Sequence, residues 1–549
     1  MRSAKEITDI YLDNNIVFGP IGMKAFLGLE EKYKEKADYA DLELSSSVIR
    51  DAIEKKIPIV SVNDLDVDGA TAGAIANIFF TKVVGYDETN FRVVLNNRRN
   101  ERGVSDDLLP EVYKAVDSIG AGLIITADHG SDNMLSFKKI KERYPEMKIV
   151  VTDHHLIHSD VKKHADAFVN PNRPENVDKD PISGCAVLYM VLYDILHELG
   201  TEDVIDDIKS KVALTTICDM VPLNCIMNRK LYKAGTKGME KSLMFKDITD
   251  DEETMFKVKV DEKLYGWTIG PLLNSSHRQT DEATRAYNWL SATSEKKSTS
   301  AYHVLKVLNS TRRKAQANAF EQAKAYIDEN PQSLKTPLVA VIDSIYSGVA
   351  GIVAQKIGEL FNVPAIILTY NESRDAYGGS ARSVIRGYSL FSVVKIINTL
   401  HYGILPVPPR GHDGAFGCTV NSNKLEEFKV LLSKYSKITD EMTSPTYGLH
   451  VIDVIPEEIT KELKEEIAKY SPFGKEWELP IFRTKSRIRR TNSRYGKTII
   501  NIDHAVEMVY TGEFDDIAEL NGELVFIFTI DIYNTNGVKC TIINIEEDR

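Results

Sequence analysis

Residues 148–155 read K-I-V-V-T-D-H-H: a short apolar run that ends in one carboxylate and two imidazoles, Asp153, His154 and His155. A β-branched run of this length reads as a strand buried on both faces. Similar runs precede it at 57–62 (I-P-I-V-S-V), 91–95 (F-R-V-V-L) and 122–127 (G-L-I-I-T-A). Amphipathic stretches near 70–82, 105–118 and 133–144 separate them. Strands alternating with helices at this spacing predict βαβ units and a parallel sheet.

Three of the four runs end in acids or imidazoles. The first continues N-D-L-D-V-D-G, placing Asp64, Asp66 and Asp68 at alternate positions, which share one side of an extended segment. The third ends A-D-H-G, with Asp128. A later stretch, K-V-A-L-T-T-I-C-D-M-V-P-L, reads as a helix ending at Asp219. A lone Asp after a strand is ordinarily a turn former or an N-cap. Acids at three strand ends are another matter, because ligands of open α/β sheets sit beyond the carboxyl ends of the strands. Carboxylates crowded there repel one another unless cations balance them. Mixed Asp and His donors suit Mn²⁺, and Mg²⁺ where carboxylates dominate. A carboxylate shared by two such ions is the arrangement used for displacement at phosphorus, so the set points to phosphoester hydrolysis.

The bulk properties narrow the class. A chain of 549 residues exceeds a single core. No apolar run approaches a membrane span, and the polar start M-R-S-A-K-E-I-T-D-I lacks the apolar segment of a secretory signal. The five cysteines are scattered without a C-x-x-C pair, so a reducing, cytoplasmic setting is expected rather than a disulfide framework. The net charge of −12 argues against a nucleic-acid partner. Locally, however, F-R-T-K-S-R-I-R-R-T-N-S-R-Y-G-K (482–497) carries seven basic residues and no acid. Arg483, Lys485, Arg487 and Arg489 alternate, as one face of a strand. A basic strand in a small β domain suits a single-stranded backbone, with Phe482 and Tyr495 as candidate stacking residues; a solvated edge strand is the plain alternative.

Together these motifs resemble the DHH phosphoesterase superfamily, and within it the RecJ-like single-strand-specific exonucleases. D-L-D-V-D-G, A-D-H-G and V-T-D-H-H are similar to the first three superfamily signatures, and C-D-M-V-P-L (218–223) to the fourth. N-P-N-R-P (170–174) and G-P-L-L-N-S-S-H-R (270–278) resemble RecJ segments. S-G-V-A-G-I-V-A-Q-K-I (347–357), G-G-S-A-R-S (378–383) and R-G-H-D-G-A-F-G (410–417) look like the DHH-associated domain. P-F-G-K-E-W-E-L-P-I-F (472–482) is similar to the start of an oligonucleotide-binding barrel.

The resemblance implies an α/β fold in six segments: an N-terminal helical segment (1–45), a parallel-sheet DHH domain (46–299) and a long connecting helix (300–335), then a second α/β DHH-associated domain (336–440), a linker helix (441–480) and a small OB-like β-barrel (481–549). It implies two divalent ions, Mn²⁺ or Mg²⁺, held by Asp64, Asp66, Asp68, Asp128, His154 and Asp219, with Asp128 bridging. His155 would face the scissile phosphate, Asp153 would orient a histidine, and His412 would complete the site. Arg278, Ser380 and Arg382 would bind strand phosphates. So would one of Arg98, Arg99 or Arg102, and the basic strand through Arg487 and Arg489. The implied activity is 5′-to-3′ hydrolysis of single-stranded DNA to mononucleotides. A nano-RNA or short-oligonucleotide phosphodiesterase, or a silent scaffold for replication partners, are the alternatives. A monomer is expected, with a single-strand-binding protein or a helicase as candidate partners.

Overall fold

The computed structural model describes residues 1–15, 36–97, 103–251, 258–280, 282–331, 337–342, 347–439, 442, 448, 450–494, 497–510, 522–534 and 537–547. Arg98, Arg99, Arg102 and Tyr495 lie outside the described residues. The chain divides into two compact units. The first comprises Asn15–Asn309 and Lys469–Leu479; the second comprises Met1–Asn14, Ser310–Ala468 and Pro480–Arg549.

The first unit is organised by β1 (Ile59–Asn63), α1 (Val67–Ile78), β2 (Phe91–Leu95), α2 (Leu109–Ile119), β3 (Leu123–Ala127), α3 (Met134–Arg143), β4 (Lys148–Thr152) and β5 (Ala167–Val169). The five strands form one parallel sheet in the order β2-β1-β3-β4-β5. The strands were legible because both sheet faces are covered. Ile59, Leu123, Ile125 and Val150 pack on one face against α4 (Gly184–Leu199) and the helix Leu42–Glu54. Val60, Val62, Ile124, Ile149 and Val151 pack on the other against Val112 and Val116 of α2 and Phe137 and Ile140 of α3. Alternating residues thus enter two cores, so the strands read as nearly continuous apolar runs.

The sequence of α1, V-D-G-A-T-A-G-A-I-A-N-I, is nearly all small and buried. Small side chains let it lie close beneath β1 and beside α4 and α5 (Glu202–Cys218). A Cβ on Gly69 would stand 2.5 Å from the backbone of Asp64, so glycine is required where the helix turns back under the strand end. Farther along lie α6 (Gly270–Thr280) and α7 (Glu295–Glu329). The latter is one 35-residue helix that runs across the division at Asn309.

The second unit holds two further sheets. β6 (Leu338–Val341), α8 (Ser347–Phe361), β7 (Ala365–Asn371), β8 (Ala376–Arg382), α9 (Leu390–Leu400), β9 (Arg410–His412), β10 (Ala415–Asn421) and α10 (Leu425–Tyr435) form a mixed five-stranded α/β layer. Its strand order is β6-β7-β8-β10-β9. The C-terminal sheet contains β11 (Val451–Asp453), β12 (Ile481–Arg487), β13 (Arg490–Arg494), β14 (Lys497–Asn501), β15 (Glu507–Tyr510), β16 (Glu523–Ile530) and β17 (Lys539–Glu547). These seven strands are mostly antiparallel, in the order β11-β12-β16-β17-β15-β14-β13. Among the described residues of 441–480 the helical elements are a 3-10 turn at Pro456–Glu458 and the α-helix Lys461–Ala468.

Candidate metal centre

The strand register brings the acids together. β1, β3 and β4 are neighbours, with Asn63 level with Ala127 and Ala127 level with Thr152. The next residues, Asp64, Asp128 and Asp153, therefore stand side by side. Backbone bonds continue the ladder one step further, from Asp64 N to Ala127 O, Asp128 N to Thr152 O and Asp153 N to Val169 O. Asp128 adopts a left-handed conformation (φ 61°), so the chain turns sharply there. A Cβ on Gly184 would stand 2.6 Å from Asp128 Cα, and only glycine lets the start of α4 approach that closely.

Asp68, on the first turn of α1, is buried and meets that same helix start. It accepts from Gly184 N at 2.6 Å and Cys185 N at 3.2 Å, where the helix dipole favours an anion. Asp219 lies at the C-terminal end of α5, half-buried. His154 sits between them: its Nε2 is 3.1 Å from Asp128 Oδ1 and 3.8 Å from Asp68 Oδ2, and its Nδ1 is 3.6 Å from Asp219 Oδ2. Two groups of donor atoms each fall within 4.8 Å of one another: Asp128, His154 and His155, and Asp68, His154 and Asp219.

This donor set fits divalent cations. Among the described residues, both oxygens of Asp128 and Oδ1 of Asp64 are buried without a hydrogen-bond donor, which is costly for a carboxylate that has no cation. Burial, then mutual repulsion with Asp68, Asp66, Asp64 and Asp219, pushes Asp128 well above the usual carboxylate range. Burial and neighbouring acids raise Asp64, Asp68 and Asp219 as well. Burial lowers His154, leaving a neutral imidazole able to ligate. Hard and borderline cations such as Mg²⁺ and Mn²⁺ match oxygen-dominated sites with imidazole.

The remaining candidates take other parts. Asp66 Oδ1 caps α1, accepting from Asp68 N at 2.9 Å and Gly69 N at 3.2 Å. Asp153 Oδ1 lies 2.8 Å from His155 Nδ1. Burial opposes charge on His155, yet Asp153, Asp64 and Asp66 push its pKa up to about 10. Arg278 is half-buried in the last turn of α6. Sequence reasoning passed over His129. It is buried beneath β1 with Nε2 donating to Val62 O at 3.0 Å, and its Nδ1 is buried without a partner among the described residues. The A-D-H-G motif contained it, but only the sheet shows that its ring turns inward.

In the second unit, register gathers three more candidates. Ala415 of β10 is level with His412 on one side and Arg382 on the other; Gly417 is level with Ser380. The Arg382 guanidinium packs against α8, where a Cβ on Gly351 would stand 2.5 Å from it. Burial lowers the Arg382 pKa, and its Nη1 donates to the carbonyl of Ala381 at 2.8 Å. A semi-buried guanidinium near a helix N-terminus is a fit for phosphate. His412 is exposed, with Nδ1 accepting from Gly414 N at 3.2 Å.

The basic strand differs from the expectation. Arg483, Lys485 and Arg487 share the exposed face of β12, but β12 ends at Arg487 and Arg489 is not part of that row. Arg489 pairs with Asp503 at 2.5 Å, Arg483 pairs with Asp453 at 2.6 Å, and Arg487 faces Glu523 across the ladder. Acids distant in sequence thus counter the local charge. Phe482 is buried against Phe528 and belongs to the core, not to a stacking surface.

Comparison with known proteins agrees with this architecture. Residues 56–217 match the DHH family, N-terminal domain, and 335–437 match the DHHA1 domain. The single-stranded-DNA-specific exonuclease RecJ of Escherichia coli is 25% identical over 485 residues, spanning 84% of this chain and 81% of that one. RecJ of Bacillus subtilis is 25% identical over 434 residues, 78% of this chain and 52% of that one. The crystal structure of RecJ in complex with Mn²⁺ from Thermus thermophilus superposes with a TM-score of 0.74 at 18% identity, covering 96% of this chain and 75% of that chain. The chain thus carries a DHH N-terminal domain and a DHHA1 domain in order, shares its fold with RecJ of Thermus thermophilus, and is similar in sequence to the RecJ exonucleases.

Proposed function

We propose that the chain is a metal-dependent 5′-to-3′ exonuclease that hydrolyses single-stranded DNA to mononucleotides. The observation that carries the reading is Asp128: a buried carboxylate with both oxygens undonated among the described residues, at the centre of acids and imidazoles delivered by adjacent strand ends. The RecJ relatives, named as single-stranded-DNA-specific exonucleases, supply the substrate class; the 5′-to-3′ direction is what the motif resemblance implies.

In this reading Asp64, Asp66, Asp68, Asp128, His154 and Asp219 hold two divalent ions, Mn²⁺ or Mg²⁺. Bound there, such ions lower the pKa of water and stabilise charge on phosphoryl oxygens. Asp68 is fixed by the α4 N-terminus, so the set is preorganised. Asp153 locks His155 through Nδ1. The opposite nitrogen, Nε2, carries a proton and donates to a non-bridging phosphate oxygen as charge builds. Within the second unit, Ser380, Arg382 and His412 are aligned as phosphate-binding candidates; within the first, Arg278 is the candidate.

The countered charge of β12 favours a second reading, a short-oligonucleotide phosphodiesterase that does not depend on 481–549. Digestion of long single strands labelled at either end, with Mn²⁺, separates the two. Early release of label only from the 5′ end supports the exonuclease. Activity confined to oligomers of a few nucleotides supports the second reading. Release first from the 3′ end contradicts the proposed direction.

A further inference from the structure

The turn in P-F-G-K-E-W is built into the first unit by side chains far from it in sequence. Arg229 is fully buried and donates to the carbonyls of Tyr470 at 2.7 Å, Ser471 at 2.9 Å and Pro472 at 3.0 Å, and to that of Leu223 at 3.2 Å. Glu262 accepts from Ser471 Oγ at 2.9 Å and Phe473 N at 2.8 Å. Trp477 is buried, with Nε1 donating to Tyr470 O at 3.0 Å. Gly474 and Trp477 exchange both backbone bonds, at 2.9 and 3.1 Å, leaving Lys475 and Glu476 at the tip.

This tip stands beside the metal centre. Leu223 N donates to Lys475 O at 2.8 Å. Leu223 closes the stretch C-D-M-V-P-L, in which Asp219 is the acid. Glu476 is engaged by Asn224, whose Nδ2 lies 3.4 Å from Glu476 Oε2. Lys475 is exposed, and its backbone carbonyl is held by Leu223, four residues after Asp219. A lysine on a rigid turn at the rim of an acidic centre serves poorly as core packing. As a point charge for phosphate it is well placed.

We infer that Lys475 is a strand-binding residue: its ammonium contacts a phosphate of the nucleic acid on the Asp219 side of the centre. The inference rests on the nuclease reading above and adds a residue to it. The anchoring by Arg229 and Glu262 explains why a flexible side chain can serve there, since the backbone beneath it is fixed on both sides.

The test compares wild type, Lys475→Ala and Lys475→Arg in the full chain. Hydrolysis of a single-stranded oligonucleotide is followed with Mn²⁺, and binding of the labelled oligonucleotide with Ca²⁺ across salt concentrations. Lys475→Ala is expected to raise KM and Kd roughly tenfold, the size of one charge-assisted contact, with kcat nearly unchanged. Its salt slope should flatten by about 0.7, the value for one phosphate on a single strand, and Lys475→Arg should restore both. Unchanged KM and slope overturn the inference while wild-type cleavage leaves the nuclease reading intact. A change in metal affinity or melting temperature without a change in strand binding also overturns it, because Lys475 then serves Asp219 alone. A wild-type protein that neither cleaves nor binds the oligonucleotide removes the nuclease reading and this inference with it.

Discussion

Asp153 Oδ1 accepts from the backbone N–H of His154 at 2.7 Å and lies 2.8 Å from His155 Nδ1, so one carboxylate oxygen fixes both histidines of the D-H-H motif. Its second oxygen accepts from Ser131 N at 2.9 Å, tying β4 to the loop after β3. Asp153 is therefore a positioning residue, and its charge belongs to His155.

Asp153→Asn keeps the size of the side chain and removes that charge. Hydrolysis is expected to fall about 10–100-fold, the usual cost of losing a carboxylate behind a functional histidine. KM should move little, because no strand contact is lost. Steady-state kinetics against oligonucleotide concentration measures the split.

Gly184→Ala places a Cβ 2.6 Å from Asp128 Cα and 2.7 Å from its Cβ and Oδ1. The start of α4 and Asp128 must separate, which also loosens the bonds from Gly184 and Cys185 to Asp68. Overpacking of this kind costs about 1–3 kcal/mol. Chemical denaturation should register that loss, and isothermal titration should show weaker Mn²⁺ binding.

Crowded carboxylates destabilise the fold until a cation binds. Mn²⁺ at a hundredfold excess over its Kd is expected to stabilise wild type by about 2.7 kcal/mol. Asp128→Asn removes one buried charge from the cluster. Its metal-free form should melt higher than metal-free wild type, with a much smaller shift on adding Mn²⁺. Thermal melts with EDTA or Mn²⁺ read both effects.

Arg2 and Glu458 supply an acid-sensitive clamp in the second unit. The Arg2 guanidinium bonds Glu458 Oε2 at 2.7 Å and its backbone N bonds Oε1 at 2.7 Å. The Arg2 side chain, more than burial, governs the pKa of Glu458, which lies at about 2 against an ordinary 4.5. A depressed folded-state pKa gives stability that is present above the unfolded value and lost as pH falls through the folded one. The clamp's contribution should be full above about pH 4.5 and vanish toward pH 2, and Glu458→Gln should flatten this stretch of the profile. The expected difference at neutral pH is about 1.5–3 kcal/mol, the range for hydrogen bonds to charged groups.

The parallel sheet was legible because burial on both faces wrote each strand as a continuous apolar run, and the acids followed directly at its end. Asp64, Asp128 and Asp153 could be placed together from sequence for that reason. His129 could not, since an imidazole after an aspartate reads the same whether it turns in or out. Nor could the neutralisation of Arg483 and Arg489, whose partners Asp453 and Asp503 lie 30 and 14 residues away. Alternation in sequence reports which face a side chain occupies, not which charge faces it. The anchoring of Lys475 by Arg229 was hidden likewise, because Arg229 lies in a helical stretch and reaches carbonyls more than 240 residues later.

The central claim is that the acids at these strand ends form a metal-dependent phosphodiesterase centre for single-stranded DNA. Nucleotide release from a long 5′-labelled single strand, measured with EDTA and then with Mn²⁺ for wild type beside Asp128→Ala, tests it most directly. No release is expected with EDTA, release should return with Mn²⁺, and the variant should release none under either condition. Hydrolysis that resists EDTA, or that survives in Asp128→Ala, would contradict it.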